Sequence, residues 1–462
     1  MGIVLRGGTV ITADSEYLAD VRIEGSTVST VGQGLVRSGD TVIDAAGCYL
    51  LPGGIDPHTH FDLDVGSTRT ADDFASGTQA AIAGGTTTII DYAAQARGGT
   101  LHAALAEWHA KADGNCYADY GFHMGITDYN PAVADEMSQM VAAGVTSFKM
   151  YLAYKSLKVD DKTVFQALRR SREIGALVGF HCENGDAIDM LVQEAIEAGN
   201  TSPRYHALTR PAIAEAEATN RVIALAEMAG APVFIVHLTC KGALEAVIRA
   251  KSRGGIAVYT ETCPQYLLLD ESCYAADGFE AAKYVMSPPL RTLTDQAALW
   301  NGLSAGFFDC LATDHCSFNY QGQKELGRQD FSKIPNGGPG VEHRLALIYT
   351  YGVLTGKITL QQMVALTSTN AAKLFGLFPR KGTIAPGSDA DIVVWNPDAS
   401  SVITAAAQTQ RVDYTPYEGW RQRGRAEYVF LRGREVAKGG TIRQEALGEY
   451  LSRKPFPIRR ED

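Results

Sequence analysis

No stretch of this sequence interleaves lysine and arginine with aromatic residues, and the formal charge over 462 residues is -10. That balance argues against a surface that tracks a phosphate backbone, so no nucleic-acid partner is expected. Long apolar runs are missing too. The longest, such as 231–236, are strand-sized and far short of the roughly 20 residues a membrane-spanning helix needs, so no membrane partner is expected either. The start, Gly2-Ile3-Val4-Leu5-Arg6, lacks the basic segment, apolar stretch and small-residue cleavage site of a secretory leader. Eight cysteines occur without Cys-x-x-Cys spacing, several inside apolar strands; they read as reduced packing residues of a cytoplasmic protein. No Gly-x-Gly-x-x-Gly or Walker loop sits at a strand-to-helix junction, which removes the nucleotide signature of a dehydrogenase or ATPase. Internal repeats and low-complexity segments are absent.

What is present is an ordinary globular composition, 45% hydrophobic and 20% charged, enough for a sizeable core. The first fifty residues read as short strands and turns at 2–10, 21–25, 28–31 and 41–43, too few to close a stable sheet alone. From Gly53 strands alternate with helix-sized amphipathic segments such as 160–172 and 213–229. Eight strands are expected, at 55–60, 86–91, 120–126, 145–151, 177–181, 233–238, 257–260 and 308–314. The fold class is α/β: a (β/α)8 barrel whose active site lies at the carboxyl ends of its strands. A helical pair at 360–367 and 370–375 follows. Period-two segments then return at 382–384, 390–395 and 427–433, expected to pair with the N-terminal strands in one small β-sandwich. The organisation expected is therefore 1–52 as the first part of the sandwich, 53–379 as the barrel, 380–440 as the second part of the sandwich and 441–462 as a tail. That tail, carrying Arg453-Lys454 and Arg459-Arg460, reads as solvated or as a subunit contact.

The chemistry starts at Leu51-Pro52-Gly53-Gly54-Ile55-Asp56-Pro57-His58-Thr59-His60. Successive side chains in a strand face opposite ways, so His58 and His60 project from one side and can grip one metal ion. His181 ends the fifth expected strand, His237 the sixth and Asp314 the eighth. Taken singly, each is more often a capped strand end than a ligand; jointly they point at one end of one barrel. Lys149 lies inside the apolar fourth strand. An ammonium about 4 Å from a dication would be repelled by about 8 kcal/mol at an effective dielectric of 20. It therefore either snorkels to the rim or pairs with a carboxylate, or it is carbamylated and bridges two cations as a carboxylate would. Four imidazoles, one carboxylate and such a bridge suit two divalent ions, Zn2+ foremost. A metal pair of this kind activates water for hydrolysis at a carbonyl.

The ordered motifs P-G-G-I-D-P-H-T-H, S-F-K-M-Y, H-C-E-N, I-V-H-L-T, E-T-C-P-Q-Y-L and A-T-D-H-C resemble those of the cyclic amidohydrolases, most closely the dihydropyrimidinase and D-hydantoinase (phenylhydantoinase-like) branch. The resemblance runs from Gly7 to about Pro455. It implies that His58, His60 and Asp314 hold one metal, His181 and His237 the other, with carbamylated Lys149 between them. It implies that Tyr154 donates to the oxyanion and binds substrate, that backbone groups at Ser287 and Asn336 hold the ring amides, and that Asp314 is the general base. It also implies a homotetramer acting on a small-molecule cyclic amide, a hydantoin or dihydropyrimidine, and releasing an N-carbamoyl amino acid. Leu63, Leu152 and Leu157 fall on loops expected to line a pocket for the ring substituent, with rim packing as the alternative for each. His315 is placed behind Asp314 or among the structural residues. Dihydroorotases usually follow the histidine pair with an arginine, where this chain has Phe61-Asp62. An allantoinase- or dihydroorotase-like enzyme is the nearest alternative. A non-catalytic scaffold relative would have lost ligands that are all present here.

Overall fold

A computed structural model describes residues 2–457. Its centre is a ring of eight parallel strands in chain order: Gly54–Thr59, Thr86–Ala94, Asp119–Gly125, Ser147–Tyr151, Leu177–His181, Val233–Ile235, Val258–Thr262 and Cys310–Leu311. A parallel bridge from Thr59 to His315 joins the first strand to the segment beyond the eighth, so the ring closes. All eight expected strands occur, with ends shifted by a few residues. Helices separate most of them, and their ends follow local chemistry. Asp160 caps Asp161–Ile174 by accepting from Thr163 N, and Gly175 ends it at φ 70, where a side chain is disfavoured.

The second body is a nine-stranded sheet built from both chain ends. Tyr49–Pro52 pairs antiparallel with Ile392–Val402, with Leu50 opposite Val394 and Leu51 opposite Val393, and parallel with Ile3–Ile11 on its other side. The sheet encloses its own core of Leu5, Val10, Val21, Leu50, Ile392, Val394 and Phe430. Three expectations are revised. Residues 382–384 form a loop, because Gly382 turns at φ 80 against Ala372. The helical pair is one run from Leu360 to Leu374, with a π-helical turn at Ala365–Thr369.

The third concerns part of the tail. Residues 443–446 are exposed, as in the solvated reading, but 449–456 run across their own barrel. Leu451 and Phe456 join Ile55, Ile90, Leu177, Phe234 and Cys310 in one buried cluster. Tyr120 N donates to Glu449 O, Leu451 N to Tyr120 O and Phe456 N to Gly175 O. Arg453, 3% exposed, donates to Phe122 O and, at 2.9 Å, to Ser147 Oγ. Burial is the physical reason: Leu451, Phe456 and one guanidinium cover the amino end of the ring and satisfy loose carbonyls there. Arg459 and Arg460 lie outside the described residues.

The two bodies are pinned by a buried charge cluster. Lys381 Nζ lies 2.6 Å from Asp119 at the start of the third barrel strand, 2.6 Å from Asp391 and 2.9 Å from Asp389 beside the sheet. Removing this central cation leaves Asp391 without an ion partner, Asp119 with only Arg432 and Asp389 with only Arg380, three carboxylates close together. Lys381→Met is therefore expected to cost about 3–5 kcal/mol of stability, read by chemical denaturation. A loss below about 1 kcal/mol, the worth of an exposed pair, would refute the pinning role.

Candidate active site

At the carboxyl end of the ring, four imidazoles form a line. The ring centres of His60 and His58 are 5.2 Å apart, those of His58 and His237 5.4 Å, and those of His237 and His181 4.7 Å. Tyr154 ends the line, 5.1 Å from His181. Period two puts His58 and His60 on one side of their strand, as expected, and Asp314 arrives from across the seam. Its Oδ1 lies 3.1 Å from His58 Nε2 and 3.2 Å from His60 Nε2. His181 Nδ1 faces His237 Nε2 at 3.0 Å, and donor atoms of His58, His237 and Asp314 all lie within 4.8 Å of one another.

Lys149 is 1% exposed, its Nζ 5.0 Å above the ring of Tyr92 and 5.3 Å from that of Tyr151. Burial draws its ammonium down to about 8, against the pull of Glu261 and Asp314. Burial, helped by Lys149, also holds His58 and His237 well below the usual imidazole range, and burial lowers His181 as well. These rings are neutral at pH 7, the form that ligates metal.

Two buried carboxylates that the sequence reading left unassigned orient these rings. Glu261 accepts from His58 Nδ1 and, at 3.1 Å, from His237 N. Glu183 Oε2 pairs with His181 Nε2 at 2.8 Å and with Arg210 at 2.8 Å. Each leaves its histidine's other nitrogen facing the centre. The signal was there to read: Glu183 follows His181 by two residues, and Glu261 is a lone acid inside the seventh strand. Backbone geometry at the site is also unusual. Tyr154, His237 and Asp314 have φ of 68°, 35° and 52°, a region side-chain-bearing residues seldom occupy.

Ser287 is buried, with its Oγ 3.5 Å from His206 Nε2. Asn336 lines a cleft of about 200 Å³ together with Tyr154, Arg210, Ile188, Val192 and Phe331. Leu152 is not among its walls and packs into the barrel core. Leu63 is a half-buried residue against the same core, and Leu157 is half-buried in its loop. His315 holds loops: its Nδ1 accepts from Gly340 N and Val341 N, and its Nε2 meets Asp72 at 3.0 Å.

The donor set fits divalent metal. Imidazole nitrogens face one another or a shared carboxylate oxygen, and buried His237 Nδ1 has no hydrogen-bond partner. Because Glu261 orients His58, Glu261→Ala is expected to weaken metal binding about 10–100-fold, read by chelator competition. Unchanged affinity would refute the orienting role.

The molecule can be set beside known proteins. A sequence model of the amidohydrolase family matches residues 49–436. The chain is 47% identical to the D-hydantoinase of Geobacillus stearothermophilus over 456 residues, 98% of this chain and 97% of that one. It is 44% identical to a D-phenylhydantoinase of Escherichia coli over 460 residues, 99% of each. The solved dihydropyrimidinase from Brevibacillus agri superposes with a TM-score of 0.98 at 48% identity, covering 99% of this chain and all of that one. Alike from end to end, and carrying its histidines and aspartate at the strand ends of the same barrel, this chain belongs to the amidohydrolase family, in its D-hydantoinase and dihydropyrimidinase branch.

Proposed function

We propose that the protein hydrolyses the cyclic amide bond of 5-substituted hydantoins and dihydropyrimidines, releasing N-carbamoyl amino acids. The observation that carries this reading is the meeting of His58, His60, His181, His237 and Asp314 at one end of the barrel, beside Tyr154 and a cleft, in a chain so like the hydantoinases. In this reading His58, His60 and Asp314 would hold one divalent ion, Zn2+ foremost, His181 and His237 would hold a second, and Lys149, as a carbamate, would be the ligand common to both. Its burial favours the neutral amine that reacts with CO2. Metal ions so bound lower the pKa of water toward about 7 and polarise a carbonyl.

The chain's own groups do the rest. Asp314 takes the attacking water's proton and passes it to the leaving ring nitrogen. The Tyr154 phenol, pushed up to about 12 by burial, stays protonated at neutral pH and donates to the oxyanion. Backbone groups at Ser287 and Asn336 hold the ring amides. Ile188, Val192 and Phe331 give the ring substituent an apolar wall, which favours alkyl and aryl groups. A ring carboxylate would find no cation after His60, since Phe61 is buried and Asp62 pairs with Arg69, so the dihydroorotase reading is disfavoured. Assembly as a homotetramer rests on the family resemblance. A cytoplasmic setting is supported by eight unpaired thiols, six of them buried.

Two variants test the assignment. Tyr154→Phe is expected to lower turnover of hydantoins about 10²–10³-fold with metal content unchanged; near-parent rates in metal-replete protein would remove the role. Lys149→Ala takes away the one ligand shared by both ions. The two-histidine side should empty first, and hydantoin turnover should fall with it. Acetate or propionate should partly restore both, and rebuilding metal into metal-free parent protein should need CO2. Metal analysis and rate assays with and without bicarbonate decide it. A Lys149→Ala protein with two tight metals and full turnover would sink the carbamate bridge.

A further inference from the structure

Behind the two loops that carry Ser287 and Asn336 sits a lysine with no solvent exposure at all. Lys324 lies in a short helical turn, Lys324–Gly327, after the eighth strand. Its Nζ donates to Val285 O at 2.8 Å, Pro335 O at 2.7 Å and Gly337 O at 2.7 Å. An ammonium has three N–H donors and no acceptor, so three carbonyls saturate it. No ion pair reaches it among the described residues; the ring of Phe318, 5.7 Å away, is its aromatic neighbour. A lysine so placed is costly unless its hydrogen bonds are all made. Those bonds are therefore made only if the three carbonyls stay where they are.

The three carbonyls are not a random set. Two belong to the residues on either side of Asn336, and the third lies two residues before Ser287. A peptide unit is planar with its C=O and N–H opposed. Holding Pro335 O thus aims Asn336 N–H away from the lysine, and holding Gly337 O does the same for Gly338 N–H. Val285 O also accepts from Gly337 N at 3.0 Å, which ties the two loops directly. The second loop has no slack elsewhere. Gly337 sits at φ 142, where an added Cβ would lie 2.3 Å from Cys316 O, and Cys316 N donates to Gly338 O at 3.1 Å.

We propose that Lys324 is a positioning residue for the hydrolysis: one ammonium sets the backbone of both loops that hold the substrate ring. This rests on the reading that those loops bind the ring amides. Lys324 touches neither substrate nor metal ligand, and it acts by fixing where the backbone donors and acceptors point.

The test is a graded series on the metal-loaded protein, with Lys324→Met offering no donor and Lys324→Gln offering two. Metal content, kcat and KM on a hydantoin panel, and hydrogen exchange of backbone amides are measured for each. The expected result is a kcat/KM reduced about 10–100-fold in the Met variant, chiefly through KM, since small misplacements of binding groups cost factors of this size. Gln should fall between Met and parent. Metal content should match the parent, and exchange should quicken at 285–290 and 335–340 and not elsewhere. Parent-like KM in a folded Met or Gln variant overturns the proposal, as does a loss that follows metal content or a global rise in exchange. If neither variant accumulates as folded protein, Lys324 is a folding requirement and the assignment falls. A parent protein that opens no cyclic amide sinks the functional reading instead, and local exchange still decides whether Lys324 holds the loops.

Discussion

The site depends on the seam where the first and eighth barrel strands meet. The eighth strand is two residues long, so a regular ladder cannot close the ring there. Polar groups close it. Asp56 accepts from Thr313 N at 3.1 Å and Thr313 Oγ1 at 2.6 Å, while also accepting from His58 N. Arg344, buried completely, straddles the seam from below, donating to Ile55 O and Leu311 O. His60 N then bonds His315 O above it. This closure carries Asp314 onto His58 and His60, one end of the histidine line.

Buried cations recur through the molecule, each answered differently. Lys381 is paired with aspartates, Arg344 and Arg453 bind carbonyls and hydroxyls at the amino end of the ring, and Lys324 binds three carbonyls. Charge in low dielectric is tolerated where most donors find acceptors; Arg344 and Arg453 each leave Nε unmatched. Lys149 differs in its surroundings: its Nζ lies over the rings of Tyr92 and Tyr151 at the carboxyl end of the ring, where the others have carboxylates, carbonyls or hydroxyls. That contrast is a physical reason to look for chemistry at Lys149 and for architecture at the others.

The left-handed backbone at Tyr154, His237 and Asp314 belongs to the same economy of placement. Such conformations cost of order 1–3 kcal/mol each and persist only where the surroundings over-determine them. Glycine would relieve the strain at each position and delete the functional group. Here the surroundings are explicit: Glu261 holds His237 N, and the Asp56–Thr313 and His315–Asp72 contacts bracket Asp314 on both sides. The strained residues are those that must present a side chain just where the chain turns off a strand.

Much of this was legible in the one-dimensional pattern. Strand and helix periods are local, so eight strands, the split sheet and the shared face of His58 and His60 could be read from spacing alone. The Phe61-Asp62 pair after His60 likewise excluded an arginine there. Contacts between distant segments were not legible. Glu261 lies 203 residues from the ring it orients, and Lys324 reaches carbonyls whose identity no side-chain pattern records. From sequence Leu152 fits a pocket wall or rim packing equally, and only the fold puts it in the core; the tail reads as solvated or as a subunit contact, and only the fold lays Leu451 and Phe456 across the open end of the barrel. Sequence by itself determined which groups exist and on which side of each element they project, because that depends on neighbours two to four residues away. Which groups meet was decided only by tertiary structure, because closing the barrel selects one register among many and pairs donors with acceptors across hundreds of residues.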